Sequence, residues 1–86
     1  MTYKIILASQ PQKFLRSLNA PKLLLQFQEA FNSITVDPKK GRPLVGPLKG
    51  IYSWRVRTYR ILYEIIEQKI HVHILEIDHR KKIYKK

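Results

Sequence analysis

The segment Trp54–Tyr63 alternates large apolar residues with arginines, and this pattern constrains the fold more than any other in the chain. A period of two is typical of a strand with one buried side and one solvent-facing side. Trp54 and Val56 are therefore expected to point one way, and Arg55 and Arg57 the other. The alternation restarts after a very short turn, so the segment predicts two antiparallel strands that carry arginines on one face.

Three arginines lie within six residues of this segment: Arg55, Arg57 and Arg60. The guanidinium group is planar and permanently charged, and it matches the oxygens of a phosphate. A solvated sheet face with no ligand is the simpler interpretation. The neighbouring tyrosines favour a surface that faces RNA, because aromatic rings among cations can stack on bases while the cations hold phosphates. Tyr63 is nevertheless expected to belong to the core.

The overall charge also favours an anionic partner. Seventeen Lys and Arg against six Asp and Glu give a net charge of +11. Such a field attracts nucleic acid, an acidic protein or an anionic membrane, and no basic amphipathic helix favours the membrane. Residues 39–60 and 80–86 contain basic side chains and no acidic one. This segregation is typical of a binding face, since solubility alone does not require it.

The length of 86 residues predicts a single domain spanning residues 1–86. There is no cysteine, so a disulfide framework and a cysteine metal site are both excluded. No stretch reaches the length of a membrane span, and the N-terminal apolar run is too short for a signal peptide. We therefore expect a cytoplasmic protein.

The order of elements predicts an α+β fold with two layers. Two helices with one apolar face would pack as a hairpin on one side of a four-stranded sheet, which combines the N-terminal strand with an antiparallel three-strand meander. Ser9 is the expected N-cap of the first helix. The predicted strands cover residues 2–8, 52–57, 59–66 and 70–77, the helices cover 11–18 and 21–36, and residues 39–50 form a loop.

Metal chemistry is not favoured by the sequence. His71 and His73 share one strand face and can in principle chelate a metal ion, but a third ligand is needed, and Glu64 or Glu67 would supply it only by chance of register. The chain also has no clustered carboxylates, no serine elbow and no phosphate-binding glycine loop. We therefore predict no metal and no cofactor.

The basic tail offers a different chemistry. RNA is cleaved without a metal when the 2′-hydroxyl attacks the adjacent phosphorus, helped by a general base, a general acid and cations that stabilise the extra phosphate charge. His79 or Tyr84 can transfer the proton, and the choice between them stays open. Arg60 and Arg80 can hold the phosphate.

Four segments together resemble the RelE/ParE superfamily of bacterial toxins, and the resemblance covers nearly the whole chain. It implies the toxin of a type II toxin–antitoxin system in the RelE-like branch. Such a protein is a metal-independent endoribonuclease, or mRNA interferase, which cleaves mRNA in the ribosomal A site and inhibits translation. The segments are Leu48–Gly50, Trp54–Arg57, Tyr59–Ile65 and His79–Tyr84.

The resemblance also implies roles for individual residues and partners. A RelB-like acidic antitoxin would hold the toxin inactive, and the two proteins could form a hetero-oligomer. The target would be the ribosome with mRNA in its A site. The catalytic positions of the family match Arg55, Arg60, His79, Arg80 and Tyr84. Further RNA contacts are implied for Lys49, Arg57, Lys81, Lys82 and Lys85.

Two other functions remain open from the sequence. A ParE-like toxin shares the fold and inhibits DNA gyrase without nuclease activity, and a plain RNA-binding module would need only the basic face. The tight turn at Thr58 determines where Arg60 lies relative to Arg80 and Tyr84. The catalytic hypothesis therefore depends on the register of this hairpin.

Overall fold

The computed structural model describes residues 2–79. It confirms the α+β class, with two helices on one face of a mixed sheet ordered β1-β5-β4-β3-β2. β1 runs parallel to β5, and the other neighbours are antiparallel. Neither helix is long and apolar enough to cross a membrane. The elements are β1 (Lys4–Leu7), α1 (Ser9–Arg16), α2 (Pro21–Val36), β2 (Arg42–Pro43), β3 (Tyr52–Val56), β4 (Tyr59–Ile66) and β5 (His71–His79).

The sheet has five strands rather than the predicted four. The additional strand, β2, lies inside the segment that was predicted as a loop, and Arg42 and Pro43 pair with Ser53 and Tyr52. A proline fits here because β2 forms the edge of the sheet, where its missing N–H group is tolerated. Short 3-10 turns at Pro38–Lys40 and Gly46–Leu48 flank β2. Residues 38–48 therefore form regular structure along the edge of the sheet.

The helices begin and end close to their predicted bounds. Proline at the first position starts α2, and Asp37 caps its C-terminus, as the following proline predicts. α1 begins two residues earlier than expected. The prediction of Ser9 as the N-cap is wrong, because Ala8 occupies that position and no side chain caps the helix. The first turn is held instead by tertiary contacts, since the Gln10 side chain donates to the Ile77 carbonyl and accepts from the Ile77 N–H, and Pro11 is buried.

The core lies between the helices and the sheet. Phe27 and Ile34 of α2 are fully buried. The ring of Phe27 meets Phe14 of α1 and Tyr59 of β4 in edge-to-face contacts, with centroids 5.6 and 5.8 Å away. This aromatic cluster joins both helices to the start of β4. The fully buried sheet residues opposite the helices are Ile61, Tyr63, Val72, Ile74 and Ile77.

A β-bulge halfway along β5 changes which of its side chains face the helices. Tyr63 pairs with Ile74, but Leu62 pairs with Glu76, so Leu75 is an extra residue in the ladder. One extra residue moves every following side chain to the opposite face. Ile77 consequently enters the core beside Ile74. The expectation that Ile70 begins this strand is wrong, since it precedes β5 with a φ of 54°.

Candidate nucleic-acid interface

A row of charged residues crosses the sheet on the face away from the helices. In the β3–β4 hairpin Arg55 pairs directly with Arg60, and on the other side Arg60 pairs with Asp78 of β5. Ile61, the next residue of β4, faces the helices, so Arg60 faces away from them. The loop at Arg57 and Thr58 has only two residues, and this length sets the register that brings Arg55 and Arg60 side by side.

Arg60 is held within this row rather than freely solvated. Its residue surface is only 4% exposed, and its Nη1 donates a hydrogen bond of 3.1 Å to Oγ of Ser53, which is 2% exposed. Ser53 lies two residues before Arg55 on β3, so both side chains share a face. Arg60 therefore has a fixed position, whereas Arg55 beside it is exposed.

The segment after β2 closes one side of this row. Leu44 and Leu48 are half-buried, and with Arg42 they line a groove of about 590 Å³ whose floor includes Arg55 and Arg60. We call this the arginine groove. Val45 stands at its rim with 84% of its surface exposed. The groove thus combines three guanidinium groups with an aliphatic wall, which suits a ligand that carries both an anion and an apolar ring.

Arg57 and Lys49 lie outside the arginine groove. Nε of Arg57 donates a hydrogen bond of 2.7 Å to Oε1 of Gln26 on α2. This contact draws Arg57 to a second groove, of about 310 Å³, between α2 and the edge of β3. Lys49 is exposed just before Gly50 and is not among the residues that line either groove.

His79 lies on the opposite face of the sheet from Arg60. It pairs with Tyr59, and the two ring centroids are 4.8 Å apart. Tyr59 packs against Phe14 of α1, so His79 belongs to the helix side. The bulge at Leu75 explains this placement, because it moves the end of β5 to the other face. The remaining predicted site residues lie outside the described range: Arg80, Lys81, Lys82, Tyr84 and Lys85.

The histidine pair on β5 lies apart from the groove. The ring centroids of His71 and His73 are 5.9 Å apart, and His73 pairs with Glu64 of β4. Within residues 2–79 no group of three His, Asp or Glu side chains is arranged to hold a metal ion. The arginine groove is therefore the site that the described residues support best.

Sequence reasoning missed Arg42, which lines the groove, and Ser53, which holds Arg60 from beneath it. Ser53 carried a usable signal, since the period of two places it on the same face as Arg55. Arg42 carried none, because it lies in a two-residue strand inside a segment rich in glycine and proline, where no periodicity can be read.

Comparison with known proteins places the chain in a family. The family model described as the ParE toxin of the type II toxin–antitoxin system parDE matches residues 5–84. Toxin RelG of Mycobacterium tuberculosis is 35% identical over 88 residues, which cover all of both proteins.

Solved structures show the same fold. A chain of the toxin–antitoxin complex RelBE2 from M. tuberculosis has 34% identity and a TM-score of 0.81, covering 93% of this chain and 100% of its own length. A chain of the archaeal RelE–RelB complex from Pyrococcus horikoshii has 25% identity and a TM-score of 0.73, with coverage of 93% and 97%. From the family match, the identity to RelG and the shared fold, the chain belongs to the RelE/ParE superfamily and is the toxin of a type II toxin–antitoxin system.

Proposed function

We propose that this toxin is a ribosome-dependent, metal-independent endoribonuclease that cleaves mRNA in the A site and so inhibits translation. The observation that carries the proposal is the direct pairing of Arg55 with Arg60 at the floor of the arginine groove. Like charges directly opposite each other in a sheet are destabilising, and a bound phosphate would relieve this repulsion.

The groove is suited to stabilise charge in a transition state. Arg60 is buried and already hydrogen-bonded to Ser53, so little reorganisation is needed when a phosphate arrives. A fixed charge in a site with little water interacts more strongly than one in bulk solvent. Arg55 and Arg42 are exposed beside it and can approach the same phosphate from the solvent side. These three residues are the proposed phosphate clamp.

The reaction is a transfer of the phosphoryl group within the RNA. The 2′-oxygen attacks the adjacent phosphorus, the bond from phosphorus to the 5′-oxygen breaks, and the products are a 2′,3′-cyclic phosphate and a 5′-hydroxyl. The non-bridging oxygens gain negative charge during attack, and the guanidinium groups stabilise it. Among residues 2–79 the groove contributes arginines but no side chain that titrates near neutral pH. His79 lies on the opposite face of the sheet from Arg60. We therefore assign the proton transfer to Tyr84 and a further phosphate contact to Arg80.

Charge also supports the proposed partners. A net charge of +11 suits both ribosomal RNA and an acidic RelB-like antitoxin. The solved relatives from M. tuberculosis and P. horikoshii are toxin–antitoxin complexes. We propose that such an antitoxin binds this chain in the cytoplasm, and that Lys49, Arg57 and the lysines at 81, 82 and 85 make outer contacts with RNA.

The ParE family match supports a second candidate, a toxin that inhibits DNA gyrase and has no nuclease activity. The 35% identity to a toxin named RelG and the arginine groove favour the nuclease. The two candidates differ in their target, so one experiment separates them.

The test is to induce the chain in cells and map the ends of mRNAs together with markers of DNA damage. The nuclease predicts cuts within codons of translated mRNAs, with 2′,3′-cyclic phosphate and 5′-hydroxyl ends. Products with 3′-hydroxyl ends would contradict the metal-independent mechanism. Intact mRNA with a DNA-damage response would indicate the gyrase inhibitor, and the absence of both would leave only RNA binding.

A further inference from the structure

The hydroxyl of Tyr63 is buried on the helix side of β4 and holds a loop in place. It donates a hydrogen bond of 2.7 Å to the carbonyl oxygen of Pro38. Burial, followed by the effect of neighbouring Tyr52, raises the pKa of Tyr63 well above its ordinary value, and a backbone hydrogen bond with Gly41 lowers it in part. The hydroxyl therefore stays protonated, and remains a donor, at any working pH.

Gly41 is a glycine because of space and not because of its backbone conformation. Its φ of −67° and ψ of 172° are ordinary extended values that any residue can adopt. A Cβ at this position would overlap the Tyr63 hydroxyl oxygen and would lie 3.0 Å from its Cζ. Any larger residue would therefore push the loop away from Tyr63.

A continuous set of contacts leads from this point through the sheet to the arginine groove. Gly41 is followed by Arg42, which pairs with Ser53 across the β2–β3 ladder. The Ser53 hydroxyl accepts the hydrogen bond from Arg60. A Cβ on Gly41 would also lie 3.3 Å from the Ser53 carbonyl oxygen. Displacement at Gly41 would thus move both Arg42 and the acceptor that fixes Arg60.

We propose that Tyr63 and Gly41 are positioning residues for the arginine groove. The Tyr63 hydroxyl anchors the segment Pro38–Pro43, and the missing side chain of Gly41 lets that segment lie close enough for Arg42 and Arg60 to converge on one phosphate. Neither residue touches the substrate. The nature of the ligand rests on the proposed function, whereas the coupling between the two residues does not.

A double-mutant cycle tests this inference. The wild type, Gly41→Ala, Tyr63→Phe and the double variant are compared by the rate of mRNA cleavage on ribosomes, with toxin in saturating excess so that a loss of folded fraction does not lower the rate. Gly41→Ala should lower the rate at least ~10-fold, and Tyr63→Phe by ~2–5-fold, because misplaced charges lose transition-state stabilisation. In the Tyr63→Phe background, Gly41→Ala should lower the rate less than ~3-fold, because the overlap with the hydroxyl is gone and the remaining contact of 3.0 Å with Cζ needs only a small shift.

Tyr52→Phe is the matched control. Tyr52 stacks on Tyr63 at a centroid distance of 5.6 Å, and its hydroxyl makes no hydrogen bond within residues 2–79. This variant should stay within ~2-fold of the wild type, since it leaves the loop contact intact. Equal losses from Tyr52→Phe and Tyr63→Phe would overturn the role of the Tyr63 hydroxyl.

The inference is also overturned if Gly41→Ala lowers the cleavage rate by the same factor in both backgrounds, or if this variant cleaves at the wild-type rate. Melting temperatures of the same four proteins also test the coupling, and they can be measured when the wild type cleaves no mRNA or when one variant folds poorly. Gly41→Ala should lower the melting temperature more in the wild type than in Tyr63→Phe, and equal shifts would refute the coupling. A wild type that cleaves no mRNA would refute the proposed nuclease while this coupling is still measured.

Discussion

The two sides of β4 are both buried, but by different means. On the helix side Ile61 and Tyr63 are fully covered by the core, and on the other side Arg60 and Leu62 are 4% and 6% exposed. Apolar burial on the helix side stabilises the fold directly. Burial of a guanidinium group has a desolvation cost, and the hydrogen bond from Arg60 to Ser53 offsets it, so the side away from the helices holds a charge in place with little gain in stability. The difference indicates that one side of the strand serves folding and the other serves ligand binding.

The largest expected effect on stability is a cavity on the helix side. Ile61→Ala should lower the free energy of unfolding by ~2–5 kcal/mol, because a fully buried side chain is truncated and the surrounding core cannot close completely. Urea denaturation at equilibrium measures this loss. Val45→Ala, at a position 84% exposed, is the control and should change the free energy by less than ~0.5 kcal/mol. A loss below ~1 kcal/mol for Ile61→Ala would contradict the assignment of this side to the core.

On the side of β4 away from the helices, a substitution should lower the free energy of unfolding less and the rate of mRNA cleavage more. Ser53→Ala removes the acceptor for Nη1 of Arg60 and should lower the free energy of unfolding by ~1.5–3 kcal/mol, the range for a hydrogen bond to a charged group. It should also slow mRNA cleavage at least ~10-fold, because Arg60 loses the hydrogen bond that orients its Nη1. Ser33→Ala, at an exposed position of α2, is the matched control. Cleavage at the wild-type rate by Ser53→Ala would mean that this contact serves the fold alone.

The smallest expected effect on stability is at the C-terminal end of β4, where Glu67 follows the strand. Tyr3 donates a hydrogen bond of 2.7 Å to Glu67 Oε1, and Lys39 Nζ lies 3.5 Å from Oε2. The Tyr3 hydrogen bond, and the Lys39 charge less strongly, hold the pKa of Glu67 below its ordinary value of 4.5. A lowered folded-state pKa gives stability that is full above the unfolded pKa and is lost as the pH falls through the folded value.

Tyr3→Phe should therefore reduce the loss of stability between about pH 6 and about pH 3, by a small amount because Glu67 is exposed. Urea midpoints at the two pH values measure this dependence. Glu67→Gln is the companion variant, since it removes the titrating group itself. An unchanged acid dependence in both variants would show that this contact contributes nothing to folding.

The sequence predicted β1 and the three strands of the meander, and it missed the two-residue strand β2. The alternation in Trp54–Tyr63 placed β3 and β4 and put Arg55 and Arg60 on one face, which the hairpin register bears out. β2 was missed because two residues, Arg42 and Pro43, cannot show a period. The burial of Arg60 was also missed, since it depends on tertiary packing and not on any local pattern.

The position of His79 illustrates a second limit. Periodicity counted from His71 and His73 would place His79 on their face, but the extra residue Leu75 reverses the phase. Bulges depend on pairing with a neighbouring strand, so a single-strand pattern does not reveal them. The sequence signal is that Ile77 is apolar and Glu76 is charged, and it can be interpreted once the core face is known.

The most direct test of the central claim compares two arginines of the same hairpin. Arg55 and Arg57 are both exposed and both line the second groove, but Arg55 also lines the arginine groove, whereas Arg57 does not and is bound to Gln26 of α2. The measurement is the single-turnover rate of mRNA cleavage on ribosomes. Arg55→Ala should lower this rate ~100-fold or more, the scale of removing one electrostatic stabiliser from a transition state, and Arg57→Ala should stay within ~3-fold of the wild type. Equal losses, or a greater loss for Arg57→Ala, would contradict the assignment of the arginine groove as the site that holds the phosphate.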